Sequence, residues 1–215
     1  MNAASRYIAV EGPIGVGKSS LVRLLAQRLE TEPVFEEVDE NPFLGPFYKD
    51  RKSYAFQTQI FFLMSRFRQL SALAQVDLFN RTALADYFFD RDMVFARLNL
   101  DPAEFTLYHE MYQLLSRRLP RPDLVVYLQA DTPTLMRRIR QRGRDAENGV
   151  SEEYIDKVNK AFNEYFFGYK GGPLLIINTS QIDFVKNPGD LDQLMAKVTG
   201  TVRGVEFFNP PSSLF

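Results

Sequence analysis

The chain has 215 residues, 45% of them hydrophobic and 25% charged, with a formal net charge of −1 and no cysteine. That length suits one α/β domain with a full core, the near-neutral charge argues against nucleic acid or an anionic membrane as principal partner, and the missing thiols exclude disulfides and cysteine-ligated metals. No apolar run approaches a membrane span and Met1 to Arg6 has no signal-type apolar region, so a cytoplasmic location is expected.

Tyr7-Ile8-Ala9-Val10 reads as a short apolar strand that leads through Glu11 into Gly12 to Ser19, G-P-I-G-V-G-K-S, which fits G-x-x-x-x-G-K-[ST]. Glycines in this pattern let successive backbone N–H groups curl round polyphosphate oxygens, so Gly12, Gly15, Val16, Gly17 and Ser20 are candidate nucleotide contacts. Lys18 is placed to reach the β and γ oxygens, and Ser19 to ligate Mg²⁺. Leu21, Leu24, Leu25 and Leu29 then keep a helical rhythm, which aims a positive helix end at the loop.

After Pro33, a strand from Val34 to Glu37 delivers Glu36 and Glu37 to its C-terminal end, the end that faces ligands in open α/β sheets. An aromatic connection with Phe43, Leu44, Phe47 and Tyr48 follows. From Tyr54 to about Leu73 a long helix carries the stripe Phe56, Ile60, Leu63 and Phe67, read as core or dimer interface. Gln59 and Arg66 lie seven apart on one face and point into a pocket in the functional reading. Ala83 to Asp86 is a small-residue strand ending in a carboxylate, and the charges of Asp90, Arg91 and Asp92 sit among aromatics and need partners.

Asp101-Pro102-Ala103-Glu104 has the form of a helix start, continued by Phe105, Tyr108, Tyr112, Leu115 and Leu119. His109, the single histidine, has no metal-type or nucleophilic neighbour in sequence and reads as structural or surface. Leu124 to Leu128 is an uninterrupted apolar strand, expected at the sheet centre. The helix from Thr132 carries Arg137, Arg138 and Arg140 and runs into Gln141-Arg142-Gly143-Arg144, where guanidinium forks suit phosphate oxygens. Asp145 to Val150 reads as a mobile connection, with Gly143 and Gly149 as lid hinges. A helix from Ser151, a strand from Leu174 to Asn178 and a tail with a short helix and a final aromatic segment complete the chain. The expected fold is a single P-loop domain, 1–215, with a five-stranded parallel sheet flanked by helices and an arginine-rich lid at about 138–150.

With these residues in place the chain resembles the deoxyribonucleoside kinase family, in particular its bacterial deoxyadenosine/deoxyguanosine kinase branch. The resemblance runs from about Arg6 to Asp183. It rests on I-A-V-E-G-P-I-G-V-G-K-S-S, F-E-E-V-D-E-N-P-F, Y-A-F-Q-T-Q-I-F-F-L-M-S-R-F-R and the stretch from Leu135 to Arg144. It implies transfer of the γ-phosphoryl of ATP, with Mg²⁺, to the 5′-hydroxyl of a deoxynucleoside, purines preferred, by a homodimer. Glu36 matches the carboxylate that accepts the hydroxyl proton, and Glu37 stands where many relatives have proline. Gln59 matches the glutamine that pairs with the base, Arg66 the arginine seven residues on, Tyr48 the tyrosine at the sugar 3′-OH and Phe95 the aromatic against the base. Arg138, Arg142 and Arg144 match the lid arginines. Asp86 keeps the metal-side carboxylate of the third strand but lacks the arginine after it, which Arg91 is expected to replace. Asn163 aligns with a glutamate that also holds the 3′-OH, with Glu164 beside it.

Two rival readings use the same loop. A nucleoside monophosphate kinase of thymidylate type shares the P-loop and lid, but Glu36 facing the acceptor suits a neutral hydroxyl and repels a monophosphate. A non-catalytic nucleotide sensor would use the P-loop only to switch conformation.

Overall fold

The computed structural model describes residues 6–75, 82–180 and 182–209. Within them the chain alternates between strands and helices: β1 (Tyr7–Glu11), α1 (Lys18–Leu29), β2 (Pro33–Val34), α2 (Leu44–Lys49), α3 (Arg51–Gln75), β3 (Ala83–Ala85), α4 (Arg91–Asn99), α5 (Pro102–Ser116), β4 (Leu124–Gln129), α6 (Thr132–Arg142), α7 (Glu152–Phe167), β5 (Leu174–Asn178), α8 (Pro188–Thr199) and β6 (Val205–Phe208). Short 3₁₀ turns lie at Val38–Glu40 and Asp145–Glu147. All strand pairs are parallel, in the order β2-β3-β1-β4-β5-β6.

The centre of the sheet follows from side-chain chemistry. Leu124, Val125, Val126, Tyr127 and Leu128 are fully buried without alternation, because helices cover both faces. Each such aliphatic side chain contributes about 1.5–3 kcal/mol relative to exposure. Several helix starts are written in sequence: Asp101 and Glu104 form a capping box with Pro102 in the first turn, and Asp131 and Ser151 cap α6 and α7. α1 differs, since Gly17 precedes it in the left-handed region with no side-chain cap, which leaves its first N–H groups to face a ligand.

Several expectations need correction. Among the described residues the sheet has six strands, not five: the final aromatic segment is β6, whose partly exposed, four-residue edge pairs with β5 and lacks the apolar continuity that marks the inner strands. The second strand ends at Val34 because the Glu36 N–H is taken by the Asp86 carboxylate at 2.8 Å instead of by a neighbouring strand. Part of the aromatic connection after Asn41 is the helix α2, and α4 begins directly behind the β3 turn, where no helix was expected. α3 starts at Arg51 and extends to Gln75, and its outer side leaves Tyr54 and Met64 exposed.

Candidate active site

The C-terminal ends of β1, β2 and β3 converge on the P-loop. Gly15 has φ +82, and a Cβ there would lie 2.8 Å from the Leu135 carbonyl oxygen and 2.7 Å from Ile139 Cγ1, so α6 seats directly on the loop only because this residue has no side chain. Lys18 Nζ donates to the Gly12 and Pro13 carbonyls at 2.8 and 3.0 Å. Burial, reinforced by Arg91, lowers its pKa to about 7 against the pull of Glu11, Glu36 and Asp86. Ser19 donates its hydroxyl proton to Asp86, whose other oxygen accepts from the Glu36 N–H. Burial raises the Asp86 carboxyl above its ordinary value.

Beyond Ser19 lies a cleft of about 280 Å³ bordered by Glu36, Tyr48, Gln59, Arg66, Arg91 and Phe95 among other residues. Its volume is at the lower end of small-ligand sites. The charges here are buried and shared. Arg66, only 3% exposed, donates to Glu36 through one nitrogen and to Asp92 through another. Arg91 Nη1 lies 3.1 Å from Glu11 and 3.6 Å from Glu36. Burial by itself would raise the Glu36 carboxyl, but Arg66 and Arg91 outweigh it and hold the group at about 2. Asp92 shares the same arginine, but burial, with the Glu36 charge beside it, pushes its carboxyl up to about 7. Tyr48 packs edge-on against Tyr154 at 6.1 Å, and burial raises its hydroxyl pKa.

A second cavity of about 860 Å³ opens on the other side of Lys18 and Ser19, bordered by Gly15, Val16, Gly17, Ser20 and the α6 arginines and closed by the segment from Ile182 to Asn187. Arg138 is built into this wall, donating to the Val16 carbonyl at 3.0 Å and to the Thr179 hydroxyl and carbonyl at 3.1 and 2.9 Å. Arg142 reaches both cavities and donates to Glu147 at 2.6 and 2.7 Å, while Arg144 Nε pairs with Asp39 at 3.0 Å.

The structure therefore brings together Lys18, Ser19, Glu36, Tyr48, Gln59, Arg66, Asp86, Arg91, Phe95, Arg142 and Arg144 along one cleft, and places Arg138 in the adjoining cavity. Gly12 stands at the base of the loop, where its carbonyl accepts from Lys18. Asn163 lies elsewhere: its Oδ1 accepts from the Tyr127 hydroxyl at 2.9 Å and from Gln129 at 2.8 Å, so its inward face meets β4 instead of the cleft. Glu164 is exposed. The carboxylate that does border the cleft beside Tyr48 and Tyr154 is Glu147, in the 3₁₀ turn of a stretch read as a mobile connection. An acid three residues after Arg144 was the available signal. Glu11 and Asp92, the buried partners of the two arginines, were also missed as site residues. His109 stacks between Phe105 and Tyr112 at 5.9 and 6.4 Å, in keeping with a structural role.

Comparison with known proteins places this arrangement. The family model described as deoxynucleoside kinase matches residues 8–203. The chain belongs to the deoxynucleoside kinase family. Among its relatives, the deoxyguanosine kinase of Bacillus subtilis (strain 168) is 34% identical over 206 residues, covering 92% of this chain and 98% of the relative. The deoxyadenosine kinase of Dictyostelium discoideum is 36% identical over 212 residues, covering 96% and 84% respectively. Among solved deoxynucleoside kinase structures, the deoxyadenosine kinase from M. mycoides with bound dATP superposes with a TM-score of 0.77 at 27% identity, over 91% of this chain and all of the other. The P-loop kinase fold and a phosphotransferase role follow from membership of this family.

Proposed function

We propose that this kinase transfers the γ-phosphoryl group of ATP to the 5′-hydroxyl of a deoxyribonucleoside, a purine deoxynucleoside preferred, within a single domain whose lid spans roughly 138–150. The observation that carries the reading is the position of Glu36: its carboxylate borders the same cleft as Lys18, Ser19 and Asp86, on the far side from the P-loop cavity. Phosphoryl transfer needs alignment and charge neutralisation more than covalent chemistry. The P-loop amides and Lys18 hold the triphosphate, and Arg142 and Arg144 exchange their carboxylate partners for its oxygens. Arg138 fixes the loop itself through the Val16 carbonyl.

Glu36 orients the hydroxyl and accepts its proton. Held at about 2 by Arg66 and Arg91, it stays ionised but is a weak base, so it takes the proton only as the oxygen commits to phosphorus. Tyr48 and, in place of Asn163, Glu147 meet the sugar; Gln59 and Arg66 read the base, and Phe95 packs on it. Ser19 and Asp86 would hold Mg²⁺. A hydroxyl and a carboxylate side by side fit an ion that takes few protein oxygens and completes its shell with water and phosphate. When bound, the ion neutralises charge on the phosphates.

The thymidylate-type reading fits less well. Arg66 and Arg91 do stand at the acceptor side, but Glu11, Glu36 and Asp92 claim them, so these two guanidiniums carry no charge in excess for an incoming monophosphate. The purine preference is supported by relatives named deoxyguanosine and deoxyadenosine kinases. A homodimer through α3 is supported by its apolar outer groove of Phe43, Phe56, Ile60, Phe61 and Met64, and sedimentation as a monomer would remove it. The proposed setting is cytoplasmic; among the described residues no helix is long and apolar enough to cross a membrane.

The test is a panel of deoxynucleosides and their monophosphates with ATP and Mg²⁺, read as ADP formed. ADP with deoxyadenosine or deoxyguanosine is the expected result. Release only with a monophosphate overturns the acceptor assignment, and release with none favours the sensor.

A further inference from the structure

Glu11 ends β1 with a carboxylate that no solvent reaches. It accepts from three segments at once: the Gly12 N–H at 3.0 Å, the Phe88 N–H at 3.2 Å and Arg91 Nη1 at 3.1 Å. Gly12 opens the P-loop, Phe88 lies two residues after Asp86, and Arg91 begins α4. The Arg91 nitrogen that donates to Glu11 also faces Glu36, but at 3.6 Å, beyond hydrogen-bond reach. The rings of Phe95 and Phe162, 5.1 and 5.9 Å from the guanidinium carbon, flank the group and limit where it can go.

Stability alone does not account for this pair. A buried ion pair is generally no better for stability than apolar residues of the same volume. Its geometric effect is specific, however. Glu11 holds a full positive charge close enough to Glu36 to keep that carboxylate ionised, yet far enough that Glu36 Oε2 is not consumed by a direct hydrogen bond from Arg91. Without the Glu11 charge, the flanking rings of Phe95 and Phe162 are left to limit the approach of Arg91 to Glu36, and closure across the remaining gap occupies the oxygen needed by a sugar hydroxyl.

We propose that Glu11 is a positioning residue for the reaction: by holding Arg91 off Glu36 it keeps Oε2 available to the acceptor hydroxyl, and through Gly12 and Phe88 it locks that spacing to the P-loop and to the Asp86 turn. This rests on the deoxynucleoside kinase reading above.

The test is a double-mutant cycle on the full-length protein, with ATP, Mg²⁺ and the best deoxynucleoside of the panel. Glu11→Gln keeps the shape and removes the charge. Its kcat is expected to fall by about 10²-fold, the size of effect a small misplacement near the reacting atoms produces, while KM for ATP changes little. Arg91→Met lowers kcat by itself, since Glu36 loses a neighbouring cation, and adding Glu11→Gln to it is expected to change kcat no further, because Glu11 acts through that guanidinium. Unchanged kcat in Glu11→Gln overturns the proposal. So does a loss confined to KM for ATP, which would make Glu11 a P-loop residue only, and so do losses that multiply in the double variant. Should Glu11→Gln fail to fold in a thermal melt, Glu11→Asp carries the test: it keeps the charge but withdraws it from Arg91 by one methylene. A kcat reduced at unchanged KM for ATP supports the proposal, and wild-type kcat overturns it. Wild-type protein inactive with every deoxynucleoside would end the kinase reading itself, whereas an active wild type with an indifferent Glu11 ends only this inference.

Discussion

The proposed acceptor cleft and donor cavity share Gly15, Lys18, Ser19, Arg23, Arg142 and Arg144, and are built differently in almost every other respect. On the acceptor side, in about 280 Å³, the side chains of Arg66, Arg91 and Glu36 are each under 10% exposed, and the two guanidiniums sit against three carboxylates. On the donor side, in about 860 Å³, the Arg142 side chain is 39% exposed and basic residues outnumber the two acids, Asp183 and Asp190. Compensated, desolvated charge fixes geometry and discriminates between neutral ligands. Excess, wetter positive charge waits for an anion and is repaid only when phosphate arrives.

That contrast fixes where the largest losses of turnover should fall. In the proposed reaction Lys18→Ala and Arg142→Ala remove charge assigned to the triphosphate, and by analogy with arginine fingers each is expected to lower kcat by on the order of 10³-fold or more. Glu36→Gln removes the proposed base, a role whose contribution is typically ~10²–10⁴-fold, and its low pKa places it toward the lower part of that range. Steady-state kinetics at a fixed deoxynucleoside should therefore rank the two donor-side variants at or below Glu36→Gln. A Glu36→Gln protein worse than both would mean that proton removal, not charge neutralisation, limits the reaction. One with nearly full activity would remove Glu36 as the base.

The compensated side makes its own demand, which appears in stability. Arg66 is shared by two carboxylates; Asp92, pushed up to about 7 by burial and by the neighbouring Glu36 charge, is the one of the pair that titrates near neutrality. A carboxyl raised in the folded state stabilises the fold below the unfolded value, and that contribution is lost as pH rises through the folded one. Wild-type protein is thus expected to lose about 2 kcal/mol relative to Asp92→Asn between pH 5 and pH 8. Urea denaturation at the two pH values measures this, and parallel curves would show that Arg66 keeps Asp92 ionised throughout.

How much of this was legible in the sequence depended on the distance over which each interaction is encoded. The P-loop is eight consecutive residues whose spacing is its chemistry, so Gly12 to Ser19 could be read outright. Glu36 and Asp86 were legible as carboxylates at strand ends, although β2 proved shorter than its apolar residues suggested because a side chain, not a strand, satisfies the Glu36 amide. Arg91 was singled out as a cation, but its partner Glu11 lies 80 residues away in sequence, and no local pattern names such a pair. Asn163 shows the opposite failure. Alignment put it at the sugar and helical period puts it on the inner face of α7, but at that point the inner face looks at Tyr127 and Gln129 of the sheet. β6 escaped because an edge strand needs only a few partly buried residues and one neighbour.

Gln59 tests whether the acceptor cleft separates recognition from catalysis. It is 3% exposed, lies two turns before Arg66 on α3 and borders the cleft. Unlike Arg66, it makes no side-chain hydrogen bond to another protein group among the described residues, so its amide carries one acceptor and a pair of donors that can rotate to match different base edges. Its removal should leave the charge network, and so the chemical step, almost untouched. Gln59→Ala is accordingly expected to change the ratio of kcat/KM between competing deoxynucleosides by about tenfold, with kcat for the best of them within about threefold of wild type. Competition assays with two deoxynucleosides in one vessel read that ratio directly. A uniform fall in kcat for every base would instead make Gln59 part of the framework that aligns the hydroxyl, and the division of labour between base recognition and phosphoryl transfer would then have no structural boundary inside the cleft.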